Sequence, residues 1–390
     1  MEYYTFIGKG KEQLGYSDVL YEIENDYIKT KYVQEAILDK YKKSINRMIV
    51  FCTEESYIFN KADIEKIATK YETDIKFNLI DTSITSEEFV SILSSTCESK
   101  EAIIDVTHCF RDLPMKLLVS VSFIEKSYGI NIKHIYYARL MNEEAKLIDC
   151  MDDYRIQDVN VALNIFDKTL LMCTDLLNSV AIDDKIKNLF IRMEELNNRF
   201  EACDFIGSLK SCKTISECCS SIIKEKEIYK RIFPFIKSIK SKFDNVNSEK
   251  NEIQRYVKFI KLLIEHQKLQ TAITFTDQLF RDTLVKQSSV SYSNYLYIKN
   301  KDGGIYEVSQ FLMSGSGYNI KTINGVKDQN PNYISCIDKL KNYFSSEKKG
   351  IIKNYYNEIR NKINHGEKVD NEYAKKCCLA MIEIIIEIAN

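Results

Sequence analysis

Short, continuously apolar runs recur through the first 150 residues with helical stretches between them, and this alternation constrains the fold more than any other feature of the sequence. Runs such as Ile49-Val50-Phe51 and Ala102-Ile103-Ile104-Asp105 lack the polar alternation of a half-exposed strand. Strands of that kind must be covered on both faces. The strand candidates are Tyr3–Gly8, Arg47–Thr53, Ile75–Ile80, Ala102–Thr107 and His134–Ala138. Helical patterns near 28–43, 60–72, 85–98 and 113–128 separate them. Repeated β-α-β order predicts an α/β unit built on a parallel, doubly wound sheet.

From about residue 155 the pattern turns helical, with amphipathic stretches near 155–181, 183–204, 218–243, 248–267 and 269–284. Residues 295–311, with Asp-Gly-Gly between two apolar runs, read as a small β-hairpin inserted in an all-α region. A glycine-bearing loop from Ser314 to Asn332 and two helices near 348–365 and 370–389 complete the chain. Three prolines in 390 residues leave room for long helices, and the length is that of two or three domains.

Charge restricts the partners. With 55 basic and 56 acidic side chains the net charge is −1, without the basic excess of proteins that hold long nucleic acids electrostatically. A nucleic-acid ligand should therefore be small or gripped in a local pocket. The twelve cysteines are scattered, two pairs are adjacent (Cys218–Cys219 and Cys377–Cys378), and no C-x-x-C spacing suggests zinc. No signal peptide or membrane-spanning run is legible, and the C-terminal Met381–Asn390 segment is short and carries two glutamates. A reducing cytoplasm and no membrane partner are expected.

In doubly wound sheets, ligands lie beyond the carboxyl ends of the strands. Here those tips are Gly8-Lys9-Gly10, Thr53-Glu54-Glu55 and Thr107-His108-Cys109-Phe110-Arg111, all polar or glycine-bearing. Pro114 marks the first turn of the following helix, whose free N–H groups and macrodipole suit an anion such as phosphate. Thr107 and His108 can hydrogen-bond there, and Arg111 can grip phosphate bidentately. Gly8 and Gly10 would let backbone approach the phosphate, and Lys9 adds charge. A plain alternative has His108 and Arg111 satisfying backbone groups and pairing with Asp112.

A second cluster closes the chain at Glu358-Ile-Arg-Asn-Lys-Ile-Asn-His-Gly366. Ile351, Tyr355, Ile359 and Ile363 mark a buried helix stripe, and Gly366 reads as its C-terminal cap. Asn361 and His365 share one face, whereas Arg360 and His365 lie about 140° apart on an ideal helix. One continuous helix would not converge both on a single phosphate; a two-fold dimer would bring two copies together. Arg, Asn and His suit metal-free RNA cleavage, with His managing protons and Arg stabilising developing charge. On spacing alone, a helix-end role against the macrodipole is the stronger reading.

At these residues the sequence resembles the CRISPR-associated CARF–HEPN ribonucleases of type III systems. The D-x-T-H-x-F-R-x-x-P pattern of that family's ligand loop is carried by Asp105, Thr107, His108, Phe110, Arg111 and Pro114. Cys109 stands where relatives often have Gly. The strand His134-Ile-Tyr-Tyr-Ala138 and the tip Phe6-Ile-Gly-Lys-Gly10 are similar too, and Arg360-Asn361 with His365 match the R-x4-H pattern. The segment beginning His266-Gln-Lys-Leu resembles the neighbouring HEPN helix. In this combination the catalytic reading overtakes the helix-end reading.

The resemblance implies a Rossmann-like CARF sensor (1–154), a helical connecting region (155–247) and a HEPN ribonuclease domain (248–390). It further implies a homodimer that binds cyclic oligoadenylate, tetra-adenylate by preference, and then cuts single-stranded RNA. The ligand residues would be Gly8, Lys9, Gly10, Thr53, Thr107, His108 and Arg111. The catalytic residues would be Arg360, Asn361 and His365, with no metal or cofactor. Two other readings stay open: a sensor with an inactive HEPN half, and a sensor that also degrades its activator.

Overall fold

A computed structural model describes residues 1–10, 16–96, 98–108, 112–141, 144–172, 183–225, 229–288, 309 and 344–390. These fall into two compact units, Met1–Gln157 and Asp158–Asn390.

The first unit is built on an eight-stranded sheet. Its strands are β1 (Glu2–Ile7), β2 (Val19–Ile23), β3 (Asp26–Thr30), β4 (Arg47–Cys52), β5 (Asp74–Leu79), β6 (Glu101–Asp105), β7 (Asn131–Met141) and β8 (Glu144–Asp149). Their order across the sheet is β3-β2-β8-β7-β6-β1-β4-β5. The run β7-β6-β1-β4-β5 is parallel throughout. Reading only those five strands, the first lies beside the second on one side and the fourth on the other. The winding direction therefore reverses between β1 and β6.

The sheet is mixed, which corrects the expectation of a parallel one. β8 is antiparallel to β7, and β2 and β3 form an antiparallel hairpin that joins the sheet through β8. The helix expected at 28–43 is accordingly shorter: β3 occupies the chain to Thr30 and α1 spans Val33–Tyr41. The burial alternation of β2, with Val19, Tyr21 and Ile23 inward, is the period-2 signature of an outer strand. Glu24, in the left-handed region at φ 55°, turns the hairpin.

Helices cover both faces. α1 and α2 (Glu54–Lys70) pack on the face carrying Tyr3, Ile7, Met48, Val50 and Ile103. α3 (Ser86–Thr96) and α4 (Leu113–Tyr128) pack on the face carrying Tyr4, Phe6, Ile49, Phe51 and Ile104. All six residues of β1 are buried, so the central strand has no polar alternation to show.

α5 (Met151–Thr169) follows β8, and beyond Gln157 all described elements are helical. α6 (Asp184–Glu201), α7 (Phe205–Ile223), α8 (Phe233–Asn247), α9 (Glu252–Glu265) and α10 (Leu269–Ser288) come in succession. The single helix expected at 218–243 is two helices; Pro234, in the first turn of α8, cannot continue a helix from α7 but starts one readily. α11 (Ser346–Asn354) runs through a π-helical turn (Tyr355–Arg360) into the short α12 (Asn361–Asn364). α13 (Asn371–Ala389) closes the chain against α10. The expected hairpin at 295–311 and loop at 314–332 lie outside the described residues, except Ser309. No described helix is long and apolar enough to cross a membrane.

Candidate functional site

The carboxyl ends of β1, β4, β5 and β6 surround a cleft of about 350 Å³ at the reversal point of the sheet. Its walls include Gly8, Lys9, Gly10, Thr53, Glu55, Ser56 and His108 over a floor of Phe6, Phe51 and Leu113. Four of the sequence-selected groups thus meet here: the Gly8-Lys9-Gly10 tip, Thr53, His108 and the start of α4. Arg111 lies outside the described residues.

The end of β6 carries a carboxylate with no access to solvent. Asp105 accepts from Thr5 Oγ1 at 2.7 Å, from the Thr107 backbone N–H at 3.0 Å and from Thr107 Oγ1 at 2.5 Å. Burial pushes its pKa up, and these donors oppose that shift. Thr107 Oγ1 also accepts from the Ala138 N–H at 2.9 Å, so its hydroxyl joins β6 to β7. Of the ligand candidates, Thr107 is the one most engaged by the fold.

Backbone near the rim is pinned by residues that sequence reading passed over. Gly8 N–H donates to the Tyr16 hydroxyl at 3.1 Å, which donates back to the Gly8 carbonyl at 3.2 Å. Asn60 Nδ2 donates to the same carbonyl at 2.9 Å. Among the described residues, a Cβ added to Gly8 would meet only Tyr16 Oη at 3.5 Å and the His108 carbonyl at 3.8 Å, both ordinary contacts, and neither of them requires glycine here. Gly10 has φ 77° and does favour it.

His108 is the chemically exceptional group. Its ring lies 4.6 Å from that of Tyr16, and its Nε2 is buried with no hydrogen-bond partner among the described residues. Burial pushes its imidazole down to about 4. A buried nitrogen in this state is suited to a hydrogen bond from an incoming ligand.

Two helix N-termini reach the cleft. Thr53 caps α2, its Oγ1 accepting from Ser56 N–H at 3.3 Å, and α4 begins at Leu113-Pro114. Both ends present the positive end of a helix dipole. Lys9 Nζ pairs with Glu55 at 2.5 Å, and both side chains are largely exposed. An anionic ligand would compete with Glu55 for that ammonium.

The second cluster stands on the helical unit. Arg360 ends the π-helical turn, Asn361 begins α12, and His365 caps it with an exposed side chain. Arg360 Nη1 donates to Asn361 Oδ1 at 3.4 Å, and Nη2 lies 3.3 Å from Asp277 Oδ2 on α10. His365 makes no side-chain hydrogen bond to a described residue. Arg360 and Asn361 are thus coupled, and among the described residues no side-chain hydrogen bond joins His365 to them. The turn is anchored from beneath: Tyr355 hydroxyl donates to the Ile273 carbonyl at 2.6 Å. Asp277 and Arg281, an i, i+4 charged pair among apolar neighbours on α10, were the available signal for this anchor.

No protein-family profile matches the chain. Over 282 residues it is 20% identical to a protein of Methanocaldococcus jannaschii named as CRISPR-associated. That match covers 72% of this chain and 41% of the other, so the chain spans less than half the length of this relative. The chain thus has a distant CRISPR-associated homologue, and combines an α/β unit holding an anion-suited cleft with a helical unit carrying Arg360, Asn361 and His365.

Proposed function

We propose that this chain is a cyclic oligoadenylate-activated, metal-independent endoribonuclease of CRISPR defence, working as a homodimer on single-stranded RNA. The observation that carries the reading is the end of the π-helical turn. There Arg360 is held by Asp277 with its side chain partly exposed, next to Asn361 and one short helix from an exposed His365. The cleft suits the activator: its glycine tip, two helix N-termini, Lys9 and the His108 nitrogen, without a partner among the described residues, favour a phosphate- and base-bearing ligand. Arg111 would add a bidentate phosphate contact.

In this mechanism the RNA 2′-oxygen attacks its own phosphorus and the 5′-oxygen leaves. The products are a 2′,3′-cyclic phosphate and a 5′-hydroxyl. His365 takes the 2′-OH proton or delivers one to the leaving oxygen, and the His365 of a second protomer fills the other role. Arg360 stabilises the charge on the non-bridging oxygens, and Asn361 orients the phosphate.

Arg360→Ala and His365→Ala should each abolish RNA cleavage while cyclic tetra-adenylate binding, followed by isothermal titration, stays at the wild-type level. Near-wild-type cleavage by the double variant would overturn the catalytic assignment.

A further inference from the structure

Among the described residues, Asp277 ties the Arg360 guanidinium to the core. Asp277 is 6% exposed, and its two oxygens are divided between partners. Oδ1 accepts from Arg281 Nε at 2.7 Å and from the Tyr356 hydroxyl at 2.5 Å, while Oδ2 lies 3.3 Å from Arg360 Nη2. Arg281 is itself fixed, its guanidinium 5.1 Å from the Tyr356 ring centre and its Nη1 donating to buried Ser309 at 2.8 Å.

One carboxylate therefore serves two guanidiniums of unequal exposure. The Arg281 side chain is 5% exposed and the Arg360 side chain 28%. A carboxylate placed only to neutralise Arg281 would need no second cation. Of the two cations on Asp277, Arg360 is the one whose side chain reaches solvent. The π-helical turn brings Tyr356 and Arg360 onto the same carboxylate, an irregularity of the kind that clusters at functional sites.

We infer that Asp277 is the positioning residue of the ribonuclease site, an inference that rests on the ribonuclease reading above. It holds one edge of the Arg360 guanidinium so that the other faces the scissile phosphate. It touches neither RNA nor the reacting atoms. Asn at this position keeps the shape but removes the charge and turns an NH₂ donor toward one of its guanidinium partners.

The test is single-turnover RNA cleavage at saturating cyclic tetra-adenylate, with the folded fraction of each variant measured alongside. Asp277→Asn should lower kcat roughly 10- to 100-fold, the loss that follows from small misplacement of a catalytic group, and move the RNA KM far less. In an Arg360→Lys background, where the guanidinium is already gone, the same substitution should change kcat by less than about two-fold. An equal loss in both backgrounds, or an unchanged kcat in Asp277→Asn, would mean that Asp277 only supports the fold. Nitrogen-15 spectra of the wild-type guanidiniums supply a readout independent of activity. Hindered rotation of Arg360 supports the positioning, and free rotation overturns it. Wild-type protein that cuts no RNA with any cyclic oligoadenylate removes the ribonuclease reading itself, whatever the spectra show.

Discussion

Burial, rather than a neighbouring charge, sets the state of His108. Its ordinary pKa of 6.5 falls to about 4 in the folded chain, so the folded state binds fewer protons than the unfolded one between those values. Stability from this group is complete above pH 6.5 and is lost as pH falls toward 4. An imidazole titration followed by NMR should place the His108 midpoint near 4, and an anion seated in the cleft should raise it by favouring the protonated ring. A midpoint near 6.5 in the free protein would contradict the buried, neutral assignment. At this scale His108, Lys9, Gly8 and Thr53 were legible as cleft residues, because clefts in doubly wound sheets open at the strand tips. Tyr16, Asn60 and Asp277 were not, because their roles depend on contacts between distant segments: Asn60 reaches Gly8 across 52 residues, and Asp277 reaches Arg360.

Elements were legible where both faces are covered, as in β1 and β4, and less so at the edge of the sheet. The β2–β3 hairpin was partly absorbed into a helix, since Tyr27-Ile28-Lys29 fits either period when read alone. The ideal-helix separation between Arg360 and His365 presumed a regular helix, and the chain enters Arg360 from a π-helical turn instead. Ion pairs also differ by element. Arg155, at the start of α5, grips Glu125 of α4 through two hydrogen bonds of 2.8 and 2.6 Å, both side chains 8% exposed. Glu125→Gln removes a carboxylate that makes two hydrogen bonds to that buried guanidinium and should cost about 1.5–3 kcal/mol in urea unfolding. Removing the more exposed Lys116–Asp112 pair should cost under about 1 kcal/mol. A Glu125→Gln cost as small as the second would mean that the α4–α5 clamp contributes little.

For the whole molecule, a net charge of −1 fits local recognition better than bulk attraction of RNA. In the proposed mechanism, activation would require the cyclic ligand to bind the cutting arrangement more tightly than the idle one. Linkage then makes the effect reciprocal, so a non-cleavable RNA should tighten activator binding by the factor with which activator tightens that RNA. The most direct test of the account is incubation of the purified protein with fluorescent single-stranded RNA in EDTA, with and without each cyclic oligoadenylate. Cleavage should appear only with a cyclic oligoadenylate, tetra-adenylate foremost, and leave 2′,3′-cyclic phosphate ends. No cleavage with any ring size, or cleavage that needs Mg²⁺ for the chemical step, would contradict it.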